Sequence, residues 1–592
     1  MATIYNPQHL RAVVDMGSNG IRFSISSLQP PTARIMPTLY QHREAISLYD
    51  AQYFPTGQRQ PIDDATISAV CAAFQQFQRT CLDFSVPEDG VKVLATEATR
   101  TAMNSDDFRA SIKQAVGWDV TMLAKEEEGR VGAMGVASSL PDVSGLVMDL
   151  GGGSTQLSWL INTRNPANVQ MPEQGAVSMP YGAAAMSRRV AEAERNGTTA
   201  ELKQEVQRAV SDAYASLKVP ASLQDIAKIE RGFTLYLSGG GFRGWGYVLM
   251  SRHAVQPYPI PVINGFCCSR AQFLDITSVQ HAAVASLEDD GDGIFRVSDR
   301  RAGQVPAVAF LVNALAEALP EIKEVRFCQG GVREGHLFSQ LPDETRSQHP
   351  LVVATETFDT PNTSGAITKL LLSALPNSDG KKHPADHYSA TFTQDVLEAF
   401  ANLLYHHATH SKDLQSSSAL RSTTSGVLAS VHGVLHENRV LLALLLCQRW
   451  GGDVPPTDQQ FKHAMEQLVD SPWTLWWINY LGAVAALIAA VYPAGVTASN
   501  TGRLAFSAVR GETEKGEPEV KLRVVFAKGA QSSGFAKDVQ AVEKVGKKKR
   551  WVGGRDGWGI RSRSRARMVT SSWLSGWDGV QAEVIKSREP GD

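Results

Sequence analysis

An α/β architecture of two related lobes, followed by an α-helical domain and a terminal β-hairpin, is the fold class the sequence predicts. Three observations point to it. A strand–aspartate–glycine turn–strand unit occurs twice, as RAVVDMGSNGIRFSISSL around Asp15 and as GLVMDLGGGSTQLSWL around Asp149, about one lobe apart. Between and after these units, apolar runs bounded by glycine alternate with amphipathic stretches, the pattern of strands covered by helices. Beyond about residue 350 the periodicity of Leu, Val and Ala becomes helical.

The chain has 592 residues, more than one hydrophobic core holds, so several domains are expected. The expected divisions are lobe I over 1–140, lobe II over 141–345, a helical domain over 346–500, a hairpin region over 501–528 and a basic, disordered tail over 529–592. With 43% hydrophobic and 20% charged residues the composition is that of a globular protein rather than a disordered one. A formal net charge of -2 gives no electrostatic reason to expect a nucleic-acid partner. Six cysteines with no CxxC pair exclude the usual zinc spacings and read as reduced thiols of a cytoplasmic protein. The N-terminal residues lack a charged stretch followed by an apolar one, so no secretory leader is expected.

In lobe I the stretch Asp64 to Cys81 places Ile67, Val70, Phe74 and Phe77 on one helical face. The segment VLATEATRTAMN reads as a strand, a turn and a helix, and KEEEGRVGAMGV as a helix opening on three carboxylates. Gly129, Gly132, Ala133 and Gly135 give that helix a thin face on which another backbone or a ligand can lie close. In lobe II, LYLSGGGFRGWG and VRFCQGGVREG read as glycine turns after short strands. Helices are expected through Val396 to Leu404, Val427 to Trp450 and Trp473 to Tyr492. The last is apolar enough to be tested as a membrane span, but its small residues and clustered tryptophans favour a core helix, and no membrane association is expected. Leu504 to Val509 and Val520 to Phe526 alternate as the strands of the hairpin.

Glycine turns after strands present consecutive backbone N–H groups to phosphate oxygens, because no side chain blocks the approach. Gly17, Ser18 and Asn19 in the first unit, Gly151, Gly152, Gly153, Ser154 and Thr155 in the second, and Gly239 and Gly240 after the later strand are the expected phosphate binders. Thr96 and Arg100 are placed to reach the cleft expected between the two lobes, Arg100 because a planar, permanently charged guanidinium suits phosphate. Asp15 and Asp149 are the expected holders of Mg²⁺, which would offset charge on phosphate oxygens. A carboxylate of Glu126–Glu128 is placed to take a proton from an attacking water, although carboxylates at a helix start also serve the helix dipole. His406 with His410, and His432 with His436, are four apart on expected helices and read as structural histidines, lacking the HExxH pattern.

The motifs DMGSNG, ATEATRTAMN, EEEGRVGAMGV, MDLGGGST and GGVREG, in this order across about residues 10 to 340, resemble the exopolyphosphatase/guanosine-pentaphosphate phosphatase (Ppx/GppA) family. The resemblance implies a two-lobed actin-like ATPase, ribonuclease H-like fold. It implies Glu128 as catalytic glutamate, Asp149 as essential aspartate and Gly151 to Thr155 as phosphate loop. The chain departs from the enzymes' pattern at Gln156, where glutamate is usual, and at Gly20, where serine is usual. These departures, with the helical C-terminal half, are similar to the family's fungal retrograde-signalling branch. That implies a cytoplasmic regulator of mitochondria-to-nucleus signalling that binds a nucleotide or polyphosphate-like ligand and signalling-protein partners, with a homodimer expected from the family alone. An active Mg-dependent phosphoanhydride hydrolase with Glu128 as base is the alternative, and a sugar or acetate kinase on the same fold is the weaker third.

Overall fold

The structure, a computed structural model, describes residues 5–54, 58–164, 167–288, 293–359, 363–376, 388–512, 518–526, 535–545 and 580–586. They fall into two units, one of residues 1–254, 262–350 and 431–435, the other of 255–261, 351–430 and 436–592. The main run of the first unit ends at 350, against an expected boundary at 345. Two short segments cross it, 255–261 belonging to the second unit and 431–435 to the first.

The first unit holds both lobes. Lobe I is a five-stranded sheet of β1 (Leu10–Gly17), β2 (Gly20–Ser27), β3 (Thr38–Glu44), β4 (Val91–Ala95) and β5 (Val120–Met122), in the order β3-β2-β1-β4-β5. Strands β1 to β3 are antiparallel, and β4 and β5 lie parallel to β1. Lobe II is a seven-stranded sheet of β6 (Val143–Leu150), β7 (Thr155–Arg164), β8 (Ala167–Gln170), β9 (Val177–Met179), β10 (Phe233–Ser238), β11 (Cys267–Ser269) and β12 (Ile322–Phe327). Its path β8-β7-β6-β10-β12 repeats that of lobe I, an antiparallel triplet with two parallel strands added beside its first member. The repeated motif in the sequence is thus a repeated sheet.

Packing explains how the lobes are held. Phe23, Phe74, Phe77 and Phe108 are buried in lobe I's own core, Phe74 and Phe77 coming from the amphipathic helix Asp64–Asp83. A second apolar cluster runs through both lobes, joining Val13 and Leu94 to Val147 and Tyr236 by way of Met134 and Val136 of the helix Lys125–Ser138. The thin face of that helix is used against protein: Gly135 meets Gly331, and Gly129 meets Ala176. Its C-terminal end is gripped by the buried Arg34, which donates to the carbonyls of Ser138 (3.2 Å) and Leu140 (3.1 Å).

The second unit contains the helices Gln394–Asn402, Gln415–Arg421, His436–Arg449, Pro456–Gln467 and Pro472–Val491. The expected helix over 427–450 begins only at His436, because Gly426 and Gly433 belong to the turns before it and Gly433 has φ of 91°. The apolar helix Pro472–Val491 is buried over most of its length, with Trp476 stacked on Tyr480 at 5.4 Å and Gly482 close against Gln448. That is the environment of a core helix. Strands β13 (Leu504–Glu512) and β14 (Pro518–Phe526) form the expected hairpin, and β15 (Val580–Lys586) adds to it in parallel. The tail expected to be disordered therefore carries a strand, and also a helix over Ala536–Glu543, while its basic clusters at 546–550 and 561–567 lie outside the described residues.

The histidine pairs are not helical pairs. His406 and His407 lie in a 3-10 turn that ends at His410, whereas His432 shares a 2.8 Å hydrogen bond with Ser138 Oγ and His436 one of 2.8 Å with Tyr258.

Candidate functional site: a cationic cleft between two glycine turns

The repeated hairpins place the two aspartates in matching positions. In lobe I a two-residue turn, Ser18-Asn19, joins β1 to β2, and Asp15 faces Arg22 across the ladder. In lobe II the turn is Gly151 to Ser154, and Asp149 faces Gln156. Both turns open onto one cleft of about 410 Å³, lined also by Thr96, Glu128, Gly239 and Gly240. Among the described residues, the cleft-lining amides of Ser18, Asn19, Gly152 and Ser154 donate to no protein acceptor, so they remain for an anion. A third donor set comes from the helix Gly239–Ser251, whose N-terminus carries unpaired amides and the positive end of its dipole. The predicted glycine turn after β10 is in fact this helix start. Ser238 before it donates to Asp149 Oδ2 at 2.6 Å and so fixes the carboxylate.

The glycines of the second turn do more than leave room for phosphate. A Cβ on Gly152 would overlap the Asn19 side chain, and one on Gly153 would come within 2.7 Å of Glu97 Oε2. The two turns therefore touch. Gly153 serves that contact and does not line the cleft. Thr155 is likewise turned away, its hydroxyl donating to the Tyr181 carbonyl at 2.8 Å. Gly17, Ser18, Asn19, Gly151, Gly152, Ser154 and Thr96 line the cleft.

Arg100 is the clearest correction. It does not line the cleft; it donates to the Leu123 carbonyl and ion-pairs with Glu128 Oε2 at 3.2 Å. Its place at the end of the short helix Glu97–Thr101 points it at the helix Lys125–Ser138 rather than at solvent. Arg100 is therefore a positioning residue for Glu128. Burial lifts Glu128 to a pKa of about 7, against the pull of Arg100 and with a further push from Glu97 and Asp149. Asp15 is also raised by burial, opposed by Arg22 at 3.6 Å and by Arg333.

Sequence reasoning missed the strongest feature of the site. Arg22, Arg43, Arg243, Arg300 and Arg301 all line the cleft, against the carboxylates of Asp15, Glu128 and Asp149. They come from β2, β3, the helix Gly239–Ser251 and the turn Asp299–Ala302. Arg43 occupies the space left by Gly20: a Cβ there would lie 3.0 Å from Arg43 Nε and 2.8 Å from the Glu44 carbonyl, and φ of 153° favours glycine. The other departure from the enzymes' pattern, Gln156, donates to Ser154 Oγ at 2.8 Å and carries a neutral amide in place of the usual carboxylate.

Comparison with known proteins gives the family. Residues 27–344 match the model of the Ppx/GppA phosphatase family, just over half of the chain. The chain belongs to the Ppx/GppA phosphatase family. Residues 349–567 match the RTG2 C-terminal domain. Retrograde regulation protein 2 of Saccharomyces cerevisiae is 39% identical over 501 residues, 82% of each chain, which places this Ppx/GppA member in the retrograde regulation protein 2 branch. The guanosine-5'-triphosphate,3'-diphosphate pyrophosphatase of Pseudoalteromonas atlantica is 27% identical over 29% of this chain and 33% of its own. Among solved structures, the Aquifex aeolicus Ppx/GppA enzyme is 20% identical over 56% of this chain and 99% of its own, with a TM-score of 0.42.

The donor set bears on a metal. Among the described residues no three acidic, histidine or cysteine side chains converge as a cage. Mg²⁺ is commonly held by one or two carboxylates together with phosphate oxygens and water, and the hard oxygens of Asp15 and Asp149 in one cleft fit that mode. Repulsion from Asp149 contributes to the raised pKa of Asp15, and a cation would relieve it.

The buried Glu128 has a stability cost that can be read. Its pKa rises from 4.5 to about 7 on folding, so the folded state keeps the proton to higher pH than the unfolded chain. Stability carried by the neutral form is full below about 4.5 and is lost as pH rises through about 7. Glu128→Gln, which can still accept from Arg100, is expected to stabilise the protein by up to about 3 kcal/mol at pH 8 and by almost nothing at pH 4.5. Unfolding in denaturant at the two pH values checks this, and an equal effect at both would remove the titration from the account.

Proposed function

We propose that the cleft binds an extended phosphate-bearing ligand, a nucleotide or a polyphosphate, and that the chain acts as a cytoplasmic regulator of mitochondria-to-nucleus signalling. One observation carries the first half: five arginines and three sets of unpaired backbone amides face one cleft that offers only three carboxylates in return. A ligand with several adjacent negative charges is the chemistry such a surface selects. The second half rests on the similarity to retrograde regulation protein 2 along most of both chains. Signalling proteins are the proposed partners, and a homodimer is proposed from the family.

Hydrolysis is the second reading, and Glu128 favours it. A carboxylate near pH 7 is matched to removing a proton from water, and a side cavity of about 40 Å³ bordered by Glu128, Asp149 and Gln156 has room for water. In that reading Glu128 accepts the water's proton, Arg100 holds Glu128 in place, and the amides and arginines of the cleft receive the charge that develops on the phosphoryl oxygens. Asp15 and Asp149 would hold Mg²⁺, which supplies charge neutralisation on the phosphate oxygens. Gln156 weighs against fast turnover because it removes one carboxylate from the water's surroundings.

Calorimetric binding of tripolyphosphate, ATP and guanosine pentaphosphate, with phosphate release measured in parallel with and without Mg²⁺, separates the readings. Binding without release is the expected result. Release that Glu128→Gln abolishes would establish the hydrolase, and absence of any binding would remove the cleft from the function.

A further inference from the structure

On the reading of the cleft as a polyphosphate site, one of its arginines is already occupied by the protein. Asp50 lies in lobe I, in the short turn Asp50–Gln52, and each of its carboxylate oxygens is held by an arginine of lobe II. Arg300 Nη2 donates to Asp50 Oδ2 at 3.0 Å, and also to Asn19 Oδ1 at 3.0 Å and Ser47 Oγ at 3.1 Å. Arg188 Nη2 donates to Asp50 Oδ1 at 3.2 Å, and its guanidinium lies 5.2 and 4.8 Å from the ring centres of Tyr49 and Tyr53.

Arg300 lines the cleft and Asp50 does not. The other cleft arginines stand differently: Arg243 Nε has no acceptor, Arg43 and Arg301 donate to carbonyls, and Arg22 has only the 3.6 Å contact with Asp15. Arg300 is thus the cleft arginine most fully engaged by a carboxylate. The pairing is also easily exchanged, since the Asp50 and Arg300 side chains are 50% and 39% exposed and ion pairs in such surroundings are weak. A phosphate oxygen with greater charge competes well for the same guanidinium.

We infer that Asp50 is a resident anion on the rim of the cleft, which a ligand's distal phosphate must displace from Arg300, so that Asp50 tunes affinity for long phosphate chains and not for a single phosphate. A lone phosphate seated on the glycine turns leaves the Asp50–Arg300 pair intact. A chain that extends past the turn to Ser47 meets it. The same contacts bridge the lobes, and the chain that displaces Asp50 takes over that bridge.

Calorimetry on the full chain at low ionic strength tests this with orthophosphate and tripolyphosphate. Asp50→Asn is expected to tighten tripolyphosphate about three- to tenfold, the scale of one or two exposed ion pairs, and to leave orthophosphate unchanged. Arg188→Gln leaves Asp50 on Arg300 and is expected to give no tightening. Equal tripolyphosphate affinity in wild type and Asp50→Asn would overturn the inference and leave the cleft reading standing. So would tightening of both ligands alike, or an equal gain from Arg188→Gln, which would mean that loosening the lobes is enough. Failure of wild type and variants to bind either phosphate would overturn the cleft reading itself.

Discussion

Replacing Gly335 with alanine is expected to destabilise the two-lobed unit by about 3 kcal/mol or more, through a clash of backbone with one added methyl. The helices Lys125–Ser138 and Val332–Ser339 cross at their glycines, Gly135 lying against Gly330, Gly331 and Gly335. A Cβ on Gly335 would overlap the Val131 carbonyl and lie 2.7 Å from the Gly135 nitrogen. Those are main-chain atoms inside a helix, which cannot swing aside as a side chain does. Propensity alone argues the other way, since alanine is better than glycine in a helix by about 1 kcal/mol. Close approach decides the sign. Gly132, on the same thin face, has nothing within 4 Å of its Cβ position, so Gly132→Ala is expected to be neutral or stabilising by up to about 1 kcal/mol. Urea unfolding of both variants checks the pair, and a mild effect at Gly335 would mean that the helices can separate.

The duplicated sheet was legible because its signal is local. An aspartate one or two residues before a glycine turn, flanked by strands, is contained in about eighteen residues and recurs once per lobe. The thin face of the helix Lys125–Ser138 was legible for the same reason, although its use against Gly331 and Ala176 rather than a ligand was not. The arginines were not legible at all. Arg22, Arg43, Arg243, Arg300 and Arg301 belong to four elements of two lobes, and nothing in their immediate neighbours separates an arginine that lines a cleft from one that is solvated. Only the stacking of the lobes brings them together. Arg100 shows the converse, for its motif is informative while its direction is set by the Leu123 carbonyl and Glu128, which a linear pattern does not specify.

The two departures from the enzymes' pattern acquire a common physical sense. At Gly20 the missing side chain admits the Arg43 guanidinium, and at Gln156 a carboxylate is replaced by an amide bound to Ser154. Each change leaves the cleft more positive. A surplus of positive charge strengthens the hold on a polyanion, while removal of a carboxylate weakens the handling of water. On the proposed reading of the cleft, both are expected to shift the balance from turnover towards retention.

Arg243 carries that logic to its strongest test. It lies in the first turns of the helix Gly239–Ser251 and faces the cleft, and its Nε is buried without an acceptor. Burial, aided by repulsion from Arg22 and Arg301 and opposed by Glu334 and Asp149, lowers its pKa to about 9. A desolvated cation whose Nε has no acceptor costs the free protein stability, and a bound phosphate supplies the acceptor that Nε lacks. Arg243→Met keeps an unbranched apolar stem and removes the guanidinium with its charge. It is expected to weaken tripolyphosphate binding by about 2 to 3 kcal/mol, roughly 30- to 150-fold, the loss that follows removal of a charge-assisted hydrogen bond in a desolvated site. In phosphate-free buffer the same substitution is expected to raise Tm, because a desolvated charge whose Nε lacks an acceptor is gone and the apolar stem remains. Opposite signs for free stability and ligand affinity are what a binding residue under electrostatic strain gives; a lowered Tm with unchanged affinity would instead make Arg243 a packing residue and move the anion site to the glycine turns alone.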